Sequence, residues 1–439
     1  MNVLDFFNIF LIASIILMGL PLFYKRFKQG NLSCIFYLYH FLIFGISQIL
    51  GFILETDTAF PIEVRTKANI IVILSMFFFY LGEIFIFQSI NLGKINNLKK
   101  NLIFEIQNYR ITSSLLWVSL ILSIIGFFVI IRVKGIPLSS MLYYETRTVY
   151  RLQGSNLGLT LGGFLTTLSL IATYIALIKR SRMGVIMCIL VAYLNLALGG
   201  ARAYIFLFLG PFFYYLVNIK EFVKKIKFGG IMIIILLSMI SLIFFEALHL
   251  WRWQETRTIQ NLLNVISQKE TYVFFLQDPM SEFNYRIKLF QAVELFPEKY
   301  DWLYGNTYKN VLLFWLPSGM SKGIKIDTIY KFSDAIYGKE TSYIERQSIQ
   351  PGFVGDCYIN FGYLFWFISF IWGMMLSIVY IMANTKVIWN LIFGSSLTYF
   401  LVLSMRGSIY LAFYAVIVIS IFIITFVLLA NTILKVIRS

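Results

Sequence analysis

Arginines stand in this chain where an apolar helix has least use for them. In "LALGGARAYIFLFLGPFF" a tight turn separates two apolar runs, and Arg202 comes just before the second. In "LSMRGSIY" Arg406 has the same relation to the last apolar run, and Gly407 lets the backbone come close. A helix N-terminus offers free N–H groups and the positive end of the dipole, and a guanidinium adds a two-pronged donor that matches phosphate. The pair therefore reads as a clamp for a pyrophosphate, against the alternative that each arginine reaches for lipid headgroups. The stretch "IRVKGIPLSSMLYYETRTVYRLQGSN" adds Arg147 and Arg151, four apart and hence on one face of a helical segment, and Arg252 opens the longest polar stretch.

Acid–base candidates are few. Asp356 lies in "PGFVGDCYINFGYLFWF", between glycines and close to Asn360. Aspartate is a favoured helix N-cap, so a cap and a catalytic or orienting carboxylate are both open readings. In "FFEALHLWRW" Glu246 and His249 are three apart, which lets the carboxylate orient the imidazole. His40 falls in the middle of an apolar run and reads as a packed polar residue, and Glu345 with Arg346 reads as a solvated pair. Glu83, also inside an apolar run, must face the protein interior, either as a partner for a neighbouring helix or along a lipid path.

The elements that position these residues are membrane helices. Of 439 residues, 59% are hydrophobic and only 13% charged, with a mean hydropathy of +0.79. A soluble domain carries about 25% charged residues, so this is a polytopic, all-α membrane protein. About 20 apolar residues are needed to cross the hydrocarbon core as a helix. Runs near 4–24, 32–54, 68–92, 112–132, 156–178, 184–199, 203–219, 229–248, 359–382, 387–405 and 408–431 predict about 11 spans. Basic clusters follow every second span: Lys25, Arg26 and Lys28, then Lys94, Lys99 and Lys100, then Lys179, Arg180 and Arg182, then Lys220, Lys224 and Lys225, then Lys435 and Arg438. By the positive-inside rule the N-terminus is outside and the C-terminus inside. The first span lacks a basic leader and a small-residue cleavage site, so it is not expected to be a cleaved signal peptide.

Three blocks follow: 1–248 with eight helices, a large outer loop at 249–358, and 359–439 with three helices. The loop is rich in Trp and Tyr, and "SEFNYRIKLFQAVELF" predicts a short amphipathic helix lying on the membrane. Its aromatics serve either interfacial packing or stacking on sugar rings. The formal charge of +16 sits in the short basic loops, while the large loop is neutral, with twelve basic and twelve acidic residues. That distribution excludes nucleic-acid binding and fits anchoring against anionic lipid. Cys34, Cys188 and Cys357 are too dispersed for a disulfide framework, and no Cys/His cluster predicts a metal site.

A Gly-Ala-Arg turn mid-chain, one long outer loop, "GFVGDCYINFGYLF" opening the next helix and "MRGS" before the last together resemble the Wzy-type O-antigen polymerases, the oligosaccharide repeat unit polymerases. The resemblance implies a metal-independent, inverting glycosyltransferase without cofactor, in the bacterial cell inner membrane, with its active site facing the periplasm. The implied partners are an oligosaccharide linked to undecaprenyl pyrophosphate, membrane lipid and, optionally, a chain-length regulator. Cations would neutralise the leaving pyrophosphate, and a base would take the acceptor hydroxyl proton. Arg202 and Arg406 are expected in the first role, with Arg147, Arg151 and Arg252 as secondary contacts, and Asp356 or His249 in the second.

Two rival classes stay open. A flippase for the same lipid-linked unit needs two comparable halves, which the sequence does not display. A metal-assisted, lipid-linked glycosyltransferase needs an outer acidic pair, and Glu55 with Asp57 in "LETDTAFP" has that form.

Overall fold

The computed structural model describes residues 3–53, 56–88, 101–108, 110–134, 157–199, 206–219, 259–268, 284–313, 328–338, 349–407 and 409–438, with isolated stretches between 227 and 250. Most of them are helical, joined by turns and short irregular stretches, and no strand occurs among the described residues. The chain is thus all-α and, by the length and apolarity of its helices, a polytopic membrane protein. In lipid each backbone amide must find its partner within its own segment, which helices allow.

The first long helices are α1 (Val3–Lys28), α2 (Cys34–Ile53, with a wider π-helical stretch at Phe41–Ile46) and α3 (Ile62–Gln88). Next come α4 (Arg110–Lys134), α5 (Leu157–Thr167), α6 (Ser169–Ile178), α7 (Arg182–Gly199) and α8 (Phe206–Tyr214). The segment expected as one large loop contributes α9 (Ile259–Ser267), α10 (Tyr285–Leu295), α11 (Lys309–Leu312) and α12 (Thr328–Tyr337). The chain closes with α13 (Gly352–Phe361), α14 (Phe365–Ala383), α15 (Val387–Met405) and α16 (Ile409–Arg438).

Seven stretches among the described residues are long and apolar enough to span a membrane, and three shorter apolar helices accompany them. The eighth expected span, 229–248, is described only in part. One boundary differs in a way that matters. The helix expected from 359 starts at Gly352 and is interrupted by a 3-10 turn at Gly362–Leu364 before α14 resumes. The glycines and Asp356 hid its first seven residues, 352–358, from a hydropathy reading.

The described helix ends gather at two ends of the bundle. One end holds the C-termini of α1, α3 and α14 and the start of α15. The other holds the end of α2, the starts of α3 and α13, the end of α15 and the segment around α10. Helices α3 and α14 cross in close contact because Gly82 and Gly373 face each other's backbones: a Cβ on either would overlap the carbonyl of Phe370 or Phe79. Buried side-chain amides tie α1 to α3 and α2, through Asn69 Nδ2 donating to Asn8 Oδ1 (2.7 Å) and Gln48 Nε2 to Asn69 Oδ1 (2.5 Å).

At the first end Arg26, expected among the basic residues that mark the inner loops, is buried. Its Nε donates to Glu83 Oε2 at 3.0 Å, and the Tyr37 hydroxyl donates to the same oxygen at 2.5 Å. Glu83 faces inward, as its cost in lipid requires, and its role is to pair with α1 and α2. At the other end α10 corrects the amphipathic expectation: residues Tyr285 to Phe290 are all buried, Arg286 and Lys288 included. Both buried basic residues have a partner, Asp57 for Arg286 and the Tyr285 ring, 4.4 Å away, for Lys288.

Candidate functional site

Asp356 is not a cap. Pro351 occupies the N-cap position of α13, and Asp356 lies in the second turn, only 2% exposed. Four residues on, Asn360 shares its helix face, and its Nδ2 donates to the Asp356 carbonyl (3.0 Å) and to Oδ1 (3.3 Å). The hydroxyl of Tyr308, from the turn before α11, donates to Oδ2 at 3.0 Å, and Thr307 Oγ1 donates to Asn360 Oδ1 at 2.7 Å. Burial, and then the adjacent Asp356 carboxylate, push the Tyr308 hydroxyl well above its usual range, so it stays protonated and donates.

The loop reaches this helix because it completes it. The last carbonyls of a helix lack internal partners, and those of Ile359 and Asn360 accept from Leu303 N (3.0 Å) and Gly305 N (2.9 Å). Gly362, at φ +55°, ends α13, and the Trp302 indole occupies the space where a Cβ would lie. Tyr358 adds a bond from its hydroxyl to the Phe296 carbonyl at 3.0 Å.

The second sequence motif arrives at the start of α13. Arg406 closes α15, and Gly407, at φ +82°, turns the chain back. The Arg406 carbonyl accepts from Gly352 N at 3.2 Å, and Arg406 Nε donates to Gln350 Oε1 at 2.6 Å. Gly352, at φ +75°, is enclosed: a Cβ there would lie 2.8 Å from the Tyr285 ring and 3.0 Å from the Tyr39 hydroxyl. At Gly407 it would lie 2.9 Å from Gly352 N. Gly407→Ala is therefore expected to cost roughly 1–2 kcal/mol in left-handed backbone strain, and more from the clash. A lowered melting temperature of the purified protein is the measurement; an unchanged one would show that the two backbones do not meet so closely.

Three other expectations resolve in the structure. Asp57 is not half of an open acidic pair: Arg286 Nη2 and Nε bond its carboxylate at 2.9 and 3.1 Å, and Arg286 Nη1 bonds Ser47 Oγ (2.6 Å) and Asn284 Oδ1 (2.9 Å). Its neighbour Glu55 lies outside the described residues. His40 is a packed side chain, with Nδ1 2.8 Å from the Phe36 carbonyl and its ring 4.0 Å from the Phe36 ring. The cysteines are three buried thiols. Arg147, Arg151, Arg202, His249 and Arg252, together with Glu246, Glu345 and Arg346, lie outside the described residues.

The structure thus brings Asp356, with the Asn360 noted beside it in the sequence, and Arg406 to one end of the bundle and adds Tyr308, Gln350 and Tyr39, which sequence reasoning did not single out. Tyr308 carried only a weak signal, as one of many loop aromatics. Its ring packs edge-on against Phe361 at 4.9 Å while its hydroxyl serves Asp356. Chemically, a carboxylate held by two donors can orient a hydroxyl or take its proton, and an arginine turn beside a helix start can face an anion. Compared with family models, curated proteins and solved structures, the chain matches none.

Proposed function

We propose that this protein is a polysaccharide polymerase of the Wzy type, joining oligosaccharide repeat units carried on undecaprenyl pyrophosphate at the outer, periplasmic face of the bacterial inner membrane. The observation that carries the reading is the meeting of "GFVGDCYINFGYLF" with the "MRGS" turn, far apart in the chain and joined through Gly352 N and the Arg406 carbonyl. In this reading the acceptor sugar hydroxyl attacks the anomeric carbon of the growing chain. The bond from that carbon to the phosphate oxygen breaks with inversion, and undecaprenyl pyrophosphate leaves with the electron pair.

Asp356 orients the acceptor hydroxyl and takes its proton. Arg406 supplies positive charge for the developing pyrophosphate, with Arg202 and then Arg147, Arg151 and Arg252 proposed to complete the cationic set. The engagement of Asp57 with Arg286 weighs against the rival that would use it as a metal ligand.

Deleting the gene is expected to collapse the surface polysaccharide ladder, seen by gel, to core bearing a single repeat unit, and restoring it to bring the ladder back. Loss of every repeat-bearing band would instead indicate a flippase or an earlier glycosyltransferase. With Arg406→Ala at normal protein level, the ladder is expected to shorten sharply; full-length polymer would remove Arg406 from the pyrophosphate site.

A further inference from the structure

The end of the bundle opposite Asp356 carries a groove of about 850 Å³, bounded by the helical segment 101–108, the start of α15 and the second half of α16. It is distant from the candidate site, because α15 runs about 28 Å between Lys386 at one end and Arg406 at the other. Its walls are apolar, formed by Trp389, Leu391, Ile424 and Val427, and its polar lining is Glu105, Asn108, Lys386 and Asn431. Glu105 and Lys386 line the same groove, and neither is in an ion pair among the described residues.

The segment 101–108 itself reads as an interfacial helix. It buries Leu102 and Ile106, leaves Phe104 68% exposed and is tied to the bundle by Gln107 Nε2 donating to the Ile178 carbonyl at 3.2 Å. Lys99 and Lys100 precede it directly in the sequence. An apolar slot that runs into a lining with a carboxylate, an ammonium and two amides matches an amphiphile with an acyl chain and a headgroup of both signs.

We propose that this groove binds one zwitterionic aminophospholipid, with its phosphate toward Lys386, its primary ammonium toward Glu105 and an acyl chain along Trp389 and Ile424. A purely anionic headgroup would leave Glu105 facing negative charge. A quaternary ammonium has no N–H to donate to the carboxylate. The inference is independent of the polymerase reading, because it concerns a different end of the molecule and a different ligand.

The test uses the full-length protein in detergent and the fluorescence of Trp389, isolated from the other seven tryptophans by subtracting a Trp389→Phe variant. Phosphatidylethanolamine with brominated acyl chains is expected to quench this signal saturably. Unlabelled phosphatidylethanolamine should displace it at several-fold lower concentration than phosphatidylcholine, phosphatidylglycerol or undecaprenyl phosphate. Glu105→Gln should abolish the preference over phosphatidylglycerol, and Lys386→Gln should weaken binding of every phospholipid several-fold. Quenching that is unsaturable or equal for all headgroups would mean ordinary annular lipid and overturn the proposal, and preferential displacement by undecaprenyl phosphate would assign the groove to the carrier lipid. The order in which unlabelled lipids displace the saturable quench is also read on the total fluorescence of the wild-type protein, without subtraction, so it decides the matter even if a variant folds poorly.

Discussion

Asp57→Ala lowers the stability of the folded protein by about 3–5 kcal/mol, because it leaves the Arg286 guanidinium buried without its counter-charge. Arg286 is among the largest fully buried side chains of the protein, and the carboxylate accepts from both its Nε and its Nη2. The space is closed on the third side by Gly51, where a Cβ would come within 2.7 Å of both carboxylate oxygens and 2.9 Å of the guanidinium. No side chain there can rotate in to compensate. The measurement is the melting temperature of the purified protein in detergent, together with its yield in the membrane.

The double variant Asp57→Leu with Arg286→Met separates charge from shape. Replacing a buried ion pair by apolar residues of similar size is often nearly neutral. The double variant is therefore expected to recover most of what Asp57→Ala loses, less the bonds that Ser47 and Asn284 made to the guanidinium. If the double variant melts as low as the single one, the pair matters through geometry rather than through an uncompensated charge. The consequence reaches the candidate site, since Arg286 adjoins Tyr285, whose ring closes over Gly352 at the start of α13. Loss of the pair is expected to loosen the seat of Asp356 without touching it.

The apolar runs were legible in the sequence because length and hydropathy alone define them, and Val387–Met405 coincides with the run read at 387–405. What sequence reasoning misread were places where a polar residue is satisfied by a distant partner. Arg26 looks like a loop cation until Glu83, 57 residues away, is seen to meet it. The α10 helix looks amphipathic until Asp57, 229 residues away, neutralises Arg286. A cap stayed one of two open readings of Asp356 because its helix was expected to begin after it. The same long-range logic explains why Arg406 and Asp356 could be picked out by residue type while Tyr308 and Gln350 could not: only the fold says which hydroxyl or amide of a neutral loop faces them.

Asp356→Asn is expected to reduce polymerisation by roughly 10²–10⁴-fold while the protein accumulates normally. The replacement has the same shape, and its amide oxygen can keep the bond from Asn360 Nδ2 that now reaches Oδ1 at 3.3 Å. Its new amino group can donate to the Tyr308 hydroxyl, which only has to rotate from donor to acceptor of the bond now made at 3.0 Å. The hydrogen-bond count is conserved, so stability should change by no more than about 1 kcal/mol. What disappears is the negative charge and the capacity to take a proton. Tyr308→Phe makes the complementary change: it keeps the carboxylate, removes one donor that holds it, and should produce a smaller loss. A normal ladder from Asp356→Asn at wild-type protein level would show that the carboxylate serves the packing of α13 against the loop, and the search for a base would move to His249. A collapsed ladder from Asp356→Asn with a partial one from Tyr308→Phe would mean that the charge acts on the substrate and the hydroxyl acts through the charge, since a purely structural carboxylate would lose more from the missing Tyr308 donor than from replacement by an isosteric amide.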